Sequence, residues 1–254
     1  MFAVVIDRVT AAPEVAASAL AKVLGKTAYE ARPSVQLPGG GPAVVGVHAT
    51  AEAAQQSAAA VRAAGFTCTV VPAKDPLPQL VVPQRFELGA DELVLDGHGH
   101  VHATIRYDAI AALLHGVAER RTQSTENVTT RKLSLGRAAL TGGLVNTRTQ
   151  TTTRTTTTTD SDELLFVFAG ADVVALREHE LQYQSLGAAL QPSRMANFRY
   201  LVGELQRRAT RAVRDDRLMK RSVQTQMLGP VLRPEEHLEL AAELVAASLC
   251  GRLV

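Results

Sequence analysis

The 254-residue chain has no tryptophan, only two cysteines and only 4% aromatic residues. No aromatic residue is interleaved with the basic residues between 120 and 159, so that stretch lacks the stacking platforms on which single-stranded nucleic acid is held. Cys68 and Cys250 are too few and too far apart for a disulfide framework or a thiolate metal site, which fits a reducing compartment. Cys68 alternates within an apolar strand pattern and is expected to face the core. No apolar run reaches the ~20 residues that a membrane-crossing helix needs. The apolar residues 1–6 are soon interrupted by Asp7 and Arg8 and lack the leading positive charge of a secretory signal, so a cytoplasmic location is expected. A net charge of +2 gives no global electrostatic instruction. The glycines at 39–41 sit between prolines with no following Lys-Ser or Lys-Thr, and no Gly-x-Ser-x-Gly elbow occurs, so neither a phosphate-cradling loop nor a hydrolase nucleophile is present. No catalytic residue and no cofactor are expected, and the chain reads as a protein that is not an enzyme.

What is present is an ordinary globular composition, 46% hydrophobic and 20% charged. Residues 2–9 read as a strand. Thr10 is placed to cap a helix whose apolar positions Val15, Ala19, Leu20, Val23 and Leu24 keep helical spacing until Gly25. Thr27 opens a second short helix, broken at Pro33. Residues 43–48 form a second strand, Thr50 caps a helix over 51–64 that closes at Gly65, and residues 66–71 supply a third strand. The order is strand, two helices, strand, helix, strand.

Two stretches carry a family resemblance: LAKVLGKTAYEA, where one helix ends at glycine and the next begins after threonine, and VVGVHATAEAAQQSAAAVRAAGF, where a strand turns into a helix through a capping threonine. Over residues 2–73 the pattern resembles the fold shared by the C-terminal domain of the ribosomal stalk protein and the Clp protease adaptor family. That resemblance implies a small α/β sandwich that binds other proteins. Where those adaptors carry an asparagine and two aspartates after the first strand, this chain has Ile6-Asp7-Arg8, with Asp7 alone corresponding.

Pro72, Pro76, Pro78 and Pro83 punctuate the next dozen residues, as in a semi-rigid spacer. The expected organisation is therefore an adaptor-like domain over 1–74 and a linker over 75–84. A β domain over 85–212 with a basic insertion at 118–160 follows, and then a helical tail over 213–254. Residues 86–88 and 92–95 alternate, Asp96-Gly97 marks a turn and residues 101–106 return as a strand. Residues 110–115 read as a strand or a short helix. Pro192-Ser193 begins an amphipathic helix with Met195, Phe198, Leu201, Val202 and Leu205 on one stripe, and a last helix over 234–249 has Leu238, Ala241, Ala242, Val245 and Leu249 on one side, to dock on the β domain or to mediate self-association. The element order, with the segments Ile105-Arg106-Tyr107-Asp108 and Glu180-Leu181-Gln182-Tyr183, resembles the pleckstrin-homology-like barrel. The resemblance implies an antiparallel barrel that takes phosphoinositides or peptides. The expected fold class is α+β: an α/β sandwich, then an antiparallel β-barrel with C-terminal helices.

Two motifs carry chemistry. Residues 146–159 read NTRTQTTTRTTTTT, with threonine at every odd position from 147 to 159 and Arg148, Gln150 and Arg154 on the even face. Threonine's branched Cβ suits a pleated strand. The stretch runs into Asp160-Ser161-Asp162-Glu163, read as a turn, and into the apolar residues 164–168, which suggests a hairpin with the threonine strand exposed or at an edge. Between residues 120 and 159 lie six Arg and one Lys against a single acid, Glu126. Arg131, Lys132, Arg148 and Arg154 are candidate anion-binding residues, suited to nucleic acid or anionic lipid. Alternatively their charge keeps a solvated edge from pairing with neighbours. His98, His100 and His102 alternate, which on a strand would let three imidazoles share a zinc. Gly97 and Gly99 instead suit a polar hairpin turn. Asp215-Asp216 and Glu235-Glu236 fall beside expected helix ends. The resulting expectation is a cytoplasmic adaptor that binds another protein, with an anionic-surface binder as the alternative.

Overall fold

The computed structural model describes residues 1–73, 80–97, 102–133 and 147–251, and for 120–133 and 147–160 the backbone alone. It divides into two units, Met1–Ala118 with Asp162–Val254, and Glu119–Ser161. The class is α+β.

The first sheet has β1 (Phe2–Ile6) at its centre, antiparallel to β2 (Ala43–His48) on one side and to β3 (Cys68–Pro72) on the other. The connecting helices are α1 (Pro13–Leu24), α2 (Ala28–Val35) and α3 (Ala51–Ala63). Their ends follow local chemistry. Gly25 closes α1 in the left-handed region at φ 63°, and Thr27 starts α2 with a reciprocal capping box to Glu30. The Thr50 side chain accepts from the Ala53 amide at the start of α3. Two details depart from expectation. The cap of α1 is Ala12, because Pro13 occupies the first helical position, where no amide partner is needed. Pro33 lies inside α2 rather than ending it, since a two-turn helix already fixed by its capping box loses only one backbone bond there.

Ala3, Val4, Val5 and Ile6 are fully buried, so both faces of the sheet are covered. The Cys68 thiol points to the Ala58 carbonyl of α3 at 3.3 Å, which places Cys68 and Val70 on the helix face and Thr69 and Val71 on the opposite one. As expected, Cys68 is buried, and burial pushes its thiol pKa up. The core of this sheet does not stop at residue 74. It continues through Ala112, Leu114, Leu164, Phe166 and Ala175 into α5 (Arg221–Leu228) and α6 (Pro234–Leu249). Of the residues expected to link two domains, 75–79 lie outside those described, and β4 (Leu80–Val81) pairs in parallel with β10 (Asp172–Arg177).

The other strands form two sheets. β5 (Arg85–Leu88), β6 (Glu92–Asp96) and β7 (His102–Arg106) make the expected antiparallel meander. The second sheet has the order β11-β8-β9-β10-β4, with β8 spanning Ile110–Leu133, β9 Thr147–Ala169 and β11 Val213–Leu218. Ala112 and Leu114 face the first core, whereas Leu113 faces a second core; Leu164 and Phe166 divide from Leu165 and Val167 in the same way. A strand buried on both faces reads as the unbroken apolar run seen at 164–168. The second core lies between the two sheets, where Phe86, Leu93, Leu95 and Ile105 join Leu165, Val167 and Leu176. It is completed by Phe198, Leu201, Val202 and Leu205 of α4 (Arg194–Arg208), capped by Ser193. Met195, placed on the same stripe by sequence, is exposed.

Neither sheet closes into a barrel. Their strand orders are linear and their outer strands do not join, because the two sheets close one core by packing face to face under α4. The expected turn at 160–163 is also absent. β9 runs straight through it, and the ladder with β10 is still intact where the Glu178 amide donates to the Glu163 carbonyl at 2.9 Å. β9 turns only after Ala169, through Gly170 at φ 62°; its residues 164–169 lie between β8 and β10, whereas β10 does not extend beside the threonine stretch at 147–159. The segment expected as a tail begins with β11, which pairs in parallel with β8.

Candidate protein interface

A groove of about 550 Å³ opens beside β3 on the face opposite α3. β3 supplies Thr69 and Val71, β8 supplies Ala111, the β9–β10 hairpin end supplies Phe168, Gly170, Ala171 and Val173, and the C-terminal end of α6 supplies Glu243, Leu244, Ala246, Ala247 and the capping Cys250. Residue size shapes the groove: Glu243, Ala246, Ala247 and Cys250 are spaced i, i+3, i+4 and i+7, so beside the long Glu243 and Leu244 this helix end carries three small side chains. A long apolar residue at either alanine would fill the space.

Among the described residues, Glu243 is the only acid lining the groove. Burial holds its carboxyl above the ordinary carboxylate range, and among the described residues no cation or hydrogen-bond donor engages it. An unpaired carboxyl in an apolar wall favours a ligand that brings a donor or a positive charge with it. Beyond the end of α6's buried stripe, Ser248 Oγ donates to Asp7 Oδ1 at 2.6 Å, fixing α6 to the end of β1. Asp7, the one position that corresponds to the acids of the adaptor pattern, is thus engaged within the chain.

A second polar region surrounds Asp162 and Glu163. Glu163, on the second-core side, meets Arg199 of α4 at 2.9 Å and His115 of β8 at 3.3 Å. Asp162 meets His179 at 2.9 Å, and desolvation raises its pKa against the pull of that imidazole. Asp162 thus meets an imidazole, and Glu163 an imidazole and a guanidinium, contacts from other segments that accommodate within a strand two acids expected in a turn. Nearby, Arg177 reaches Glu239 of α6 at 3.0 Å.

The candidate residues from sequence fall as follows. Arg131 and Lys132 lie on β8, and Arg148 and Arg154 on its neighbour β9. His98 and His100 lie outside the described residues. His102, on β7, is exposed and pairs with Asp96 at 2.9 Å, and among the described residues no group of His, Cys, Asp and Glu is arranged to hold a metal ion. Asp215 does not sit at a helix end. It lies in β11 and takes a bidentate pair from Arg217, whose Nη1 also donates to the carbonyls of Pro38 and Gly41 at 3.1 and 2.7 Å. Glu235 and Glu236 do occupy the first turn of α6. Glu243 went unnoticed in sequence because it lies off the apolar stripe of α6. The available signal was the trio of small residues at i+3, i+4 and i+7.

Among the described residues, no helix is long and apolar enough to cross a membrane. No known protein-family model matches the chain, and no curated protein or solved structure is similar enough to match it.

Proposed function

We propose that the chain is a non-enzymatic interaction protein that acts as an adaptor in the cytoplasm, and that a segment of a partner protein docks in the groove beside β3. The observation that carries this reading is the apolar groove itself, with one unpaired carboxyl in its wall. A volume of about 550 Å³ lies within the ~300–1,000 Å³ typical of binding clefts. The adaptor-like order of elements over residues 2–73 supports the same reading.

The test uses the full chain and its Ala247→Trp variant as baits for native lysate at low and high salt. Ala247→Trp fills the groove, and its melting temperature serves as the folding control. A stoichiometric protein retained at high salt by the wild type and lost by the variant supports the reading, whereas equal capture by both sinks it. A second reading, attachment to anionic polymer or membrane surface, is favoured by the placement of Arg131, Lys132, Arg148 and Arg154 on adjacent strands. It predicts recovery of nucleic acid or lipid that disappears at high salt through counterion release and is indifferent to Ala247→Trp.

A further inference from the structure

We propose that the partner adds to β3 as a further strand of the first sheet and places a basic side chain against Glu243. This rests on the reading of the groove as a protein-docking site and specifies how that site is used. The phase of the β1–β3 ladder sets which backbone groups of β3 face outward. The Ala73 amide donates to the Met1 carbonyl at 2.9 Å and the Asp7 amide donates to the Thr67 carbonyl at 3.1 Å. In an antiparallel pair, residues that exchange hydrogen bonds alternate with residues that do not. With Ala3 opposite Val71 and Val5 opposite Thr69, the bonded positions on β3 are 67, 69, 71 and 73. The backbone groups of Cys68, Val70 and Pro72 therefore point away from β1.

Both ends of this outer edge are blunted. The Arg62 guanidinium donates to the Cys68 carbonyl at 3.1 Å, and Pro72 has no amide to offer. Val70, at the centre, presents both its N–H and its C=O, and among the described residues no strand pairs with this edge. Val70 and Val71 are only partly buried. The exposed side chains of β7, another edge strand, are His102, Thr104 and Arg106 with a His102–Asp96 ion pair, the charged dressing that discourages pairing. β3 has no such dressing on its groove face.

Backbone and groove then act together. A strand hydrogen-bonded to Val70 projects alternate side chains onto the Thr69 and Val71 face, which lines the groove. Side chains two residues apart on one strand lie about 7 Å from each other. One can fill the space above Ala246 and Ala247 while the next meets Glu243. The occupant is thus an extended segment of a partner protein with an apolar residue and a Lys or Arg at positions i and i+2. Main-chain bonds supply affinity and the two side chains supply selection.

The test uses a blocked nine-residue peptide with valine at odd positions, threonine at even positions and a central lysine. Two counterparts carry either glutamate at the centre or proline at both positions flanking the lysine, because in an antiparallel strand the residue opposite Val70 is the one whose amide faces β3. Titrated against the full chain, the lysine peptide is expected to bind, with the glutamate and proline versions at least about tenfold weaker, as loss of a charge-assisted contact or a ladder bond implies. Val70→Pro removes an outward amide and trims a side chain packed at the margin of the first core, so it should leave the chain folded, as its melting transition checks, and weaken the lysine peptide at least about tenfold. Val71→Pro removes an amide bonded to Ala3 and should unfold the chain. Should Val70→Pro fold poorly, hydrogen exchange in the wild type replaces it: the Val70 amide slows on peptide binding and the Val71 amide does not. Lysine-peptide binding indifferent to Val70→Pro, or no change at the Val70 amide, overturns strand addition; if Ala247→Trp still abolishes that binding, the groove reading survives alone. Failure of all three peptides to bind the wild-type chain also overturns the proposal.

Discussion

The two flanks of the first sheet are built to opposite ends. On the β2 flank, α2 and α5 pack against the strand, Gly229 brings its backbone so near that a Cβ there would lie 3.0 Å from the Val44 carbonyl oxygen, and Arg217 holds the 38–41 loop through two carbonyls. On the β3 flank the neighbouring helix presents the small Ala246 and Ala247, no described residue pairs with the carboxyl of Glu243, and a groove remains. The same sheet thus has one flank finished by its own chain and one left for something else. Regions that leave apolar surface and backbone donors unused are where binding is found, because close packing elsewhere removes both.

That contrast predicts where substitutions should hurt. The largest loss is expected from Gly41→Ala on the closed flank. Gly41 has φ 150°, and an added Cβ would sit 1.8 Å from the Asp7 carbonyl oxygen, so backbone must move; about 4 kcal/mol of stability should disappear in denaturant unfolding. Next is Arg217→Ala, which strands the half-buried Asp215 carboxylate and two loop carbonyls and should cost about 3 kcal/mol. Thr27→Ala removes the capping box of α2, which packs on β2, and should cost about 1 kcal/mol. A Gly41→Ala chain with wild-type stability would mean that the closed flank is looser than its contacts suggest.

The smallest effect belongs to the open flank and has a pH signature. Burial raises the Glu243 carboxyl, so the folded chain holds that proton more tightly than the unfolded chain does. The resulting stabilisation is present below the carboxylate's unfolded range and is lost as pH rises through its folded value. Glu243→Gln keeps the side chain neutral at every pH. It should match the wild type in acid and melt slightly higher at neutral pH, while weakening any cationic ligand. A variant that is less stable at neutral pH would show that Glu243 already has a positive partner, which would remove the difference between the two flanks.

How far the sequence went depended on the range of the interactions. The helix starts at Thr27, Thr50 and Ser193 and the stop at Gly25 were legible because capping is settled within about four residues. The meander over β5, β6 and β7 was legible from alternation. The acids at 160–163 misled, because the partners of Asp162 and Glu163, namely His115, His179 and Arg199, arrive from three other segments. The barrel expected over 85–212 failed for a related reason: element order does not say whether outer strands join or whether a helix closes the core instead. Of the candidate site, only Thr69 and Val71 could be assigned a face in advance, through their alternation with Cys68. Glu243 is separated from them by some 170 positions in the chain.

The sequence by itself determined the order of elements over residues 2–71, the helix starts at Thr27, Thr50 and Ser193, the stop at Gly25, the burial of Cys68 and the apolar strand at 164–168, since each follows from backbone propensity, capping or periodicity over a few residues. Only the tertiary structure decided that α6 and the strands after residue 80 share the core of the first sheet, that Arg217 closes one flank, and that Ala246, Ala247 and Glu243 leave a groove on the other. Those outcomes depend on which surfaces meet, and that choice is made by the packing of distant segments against one another.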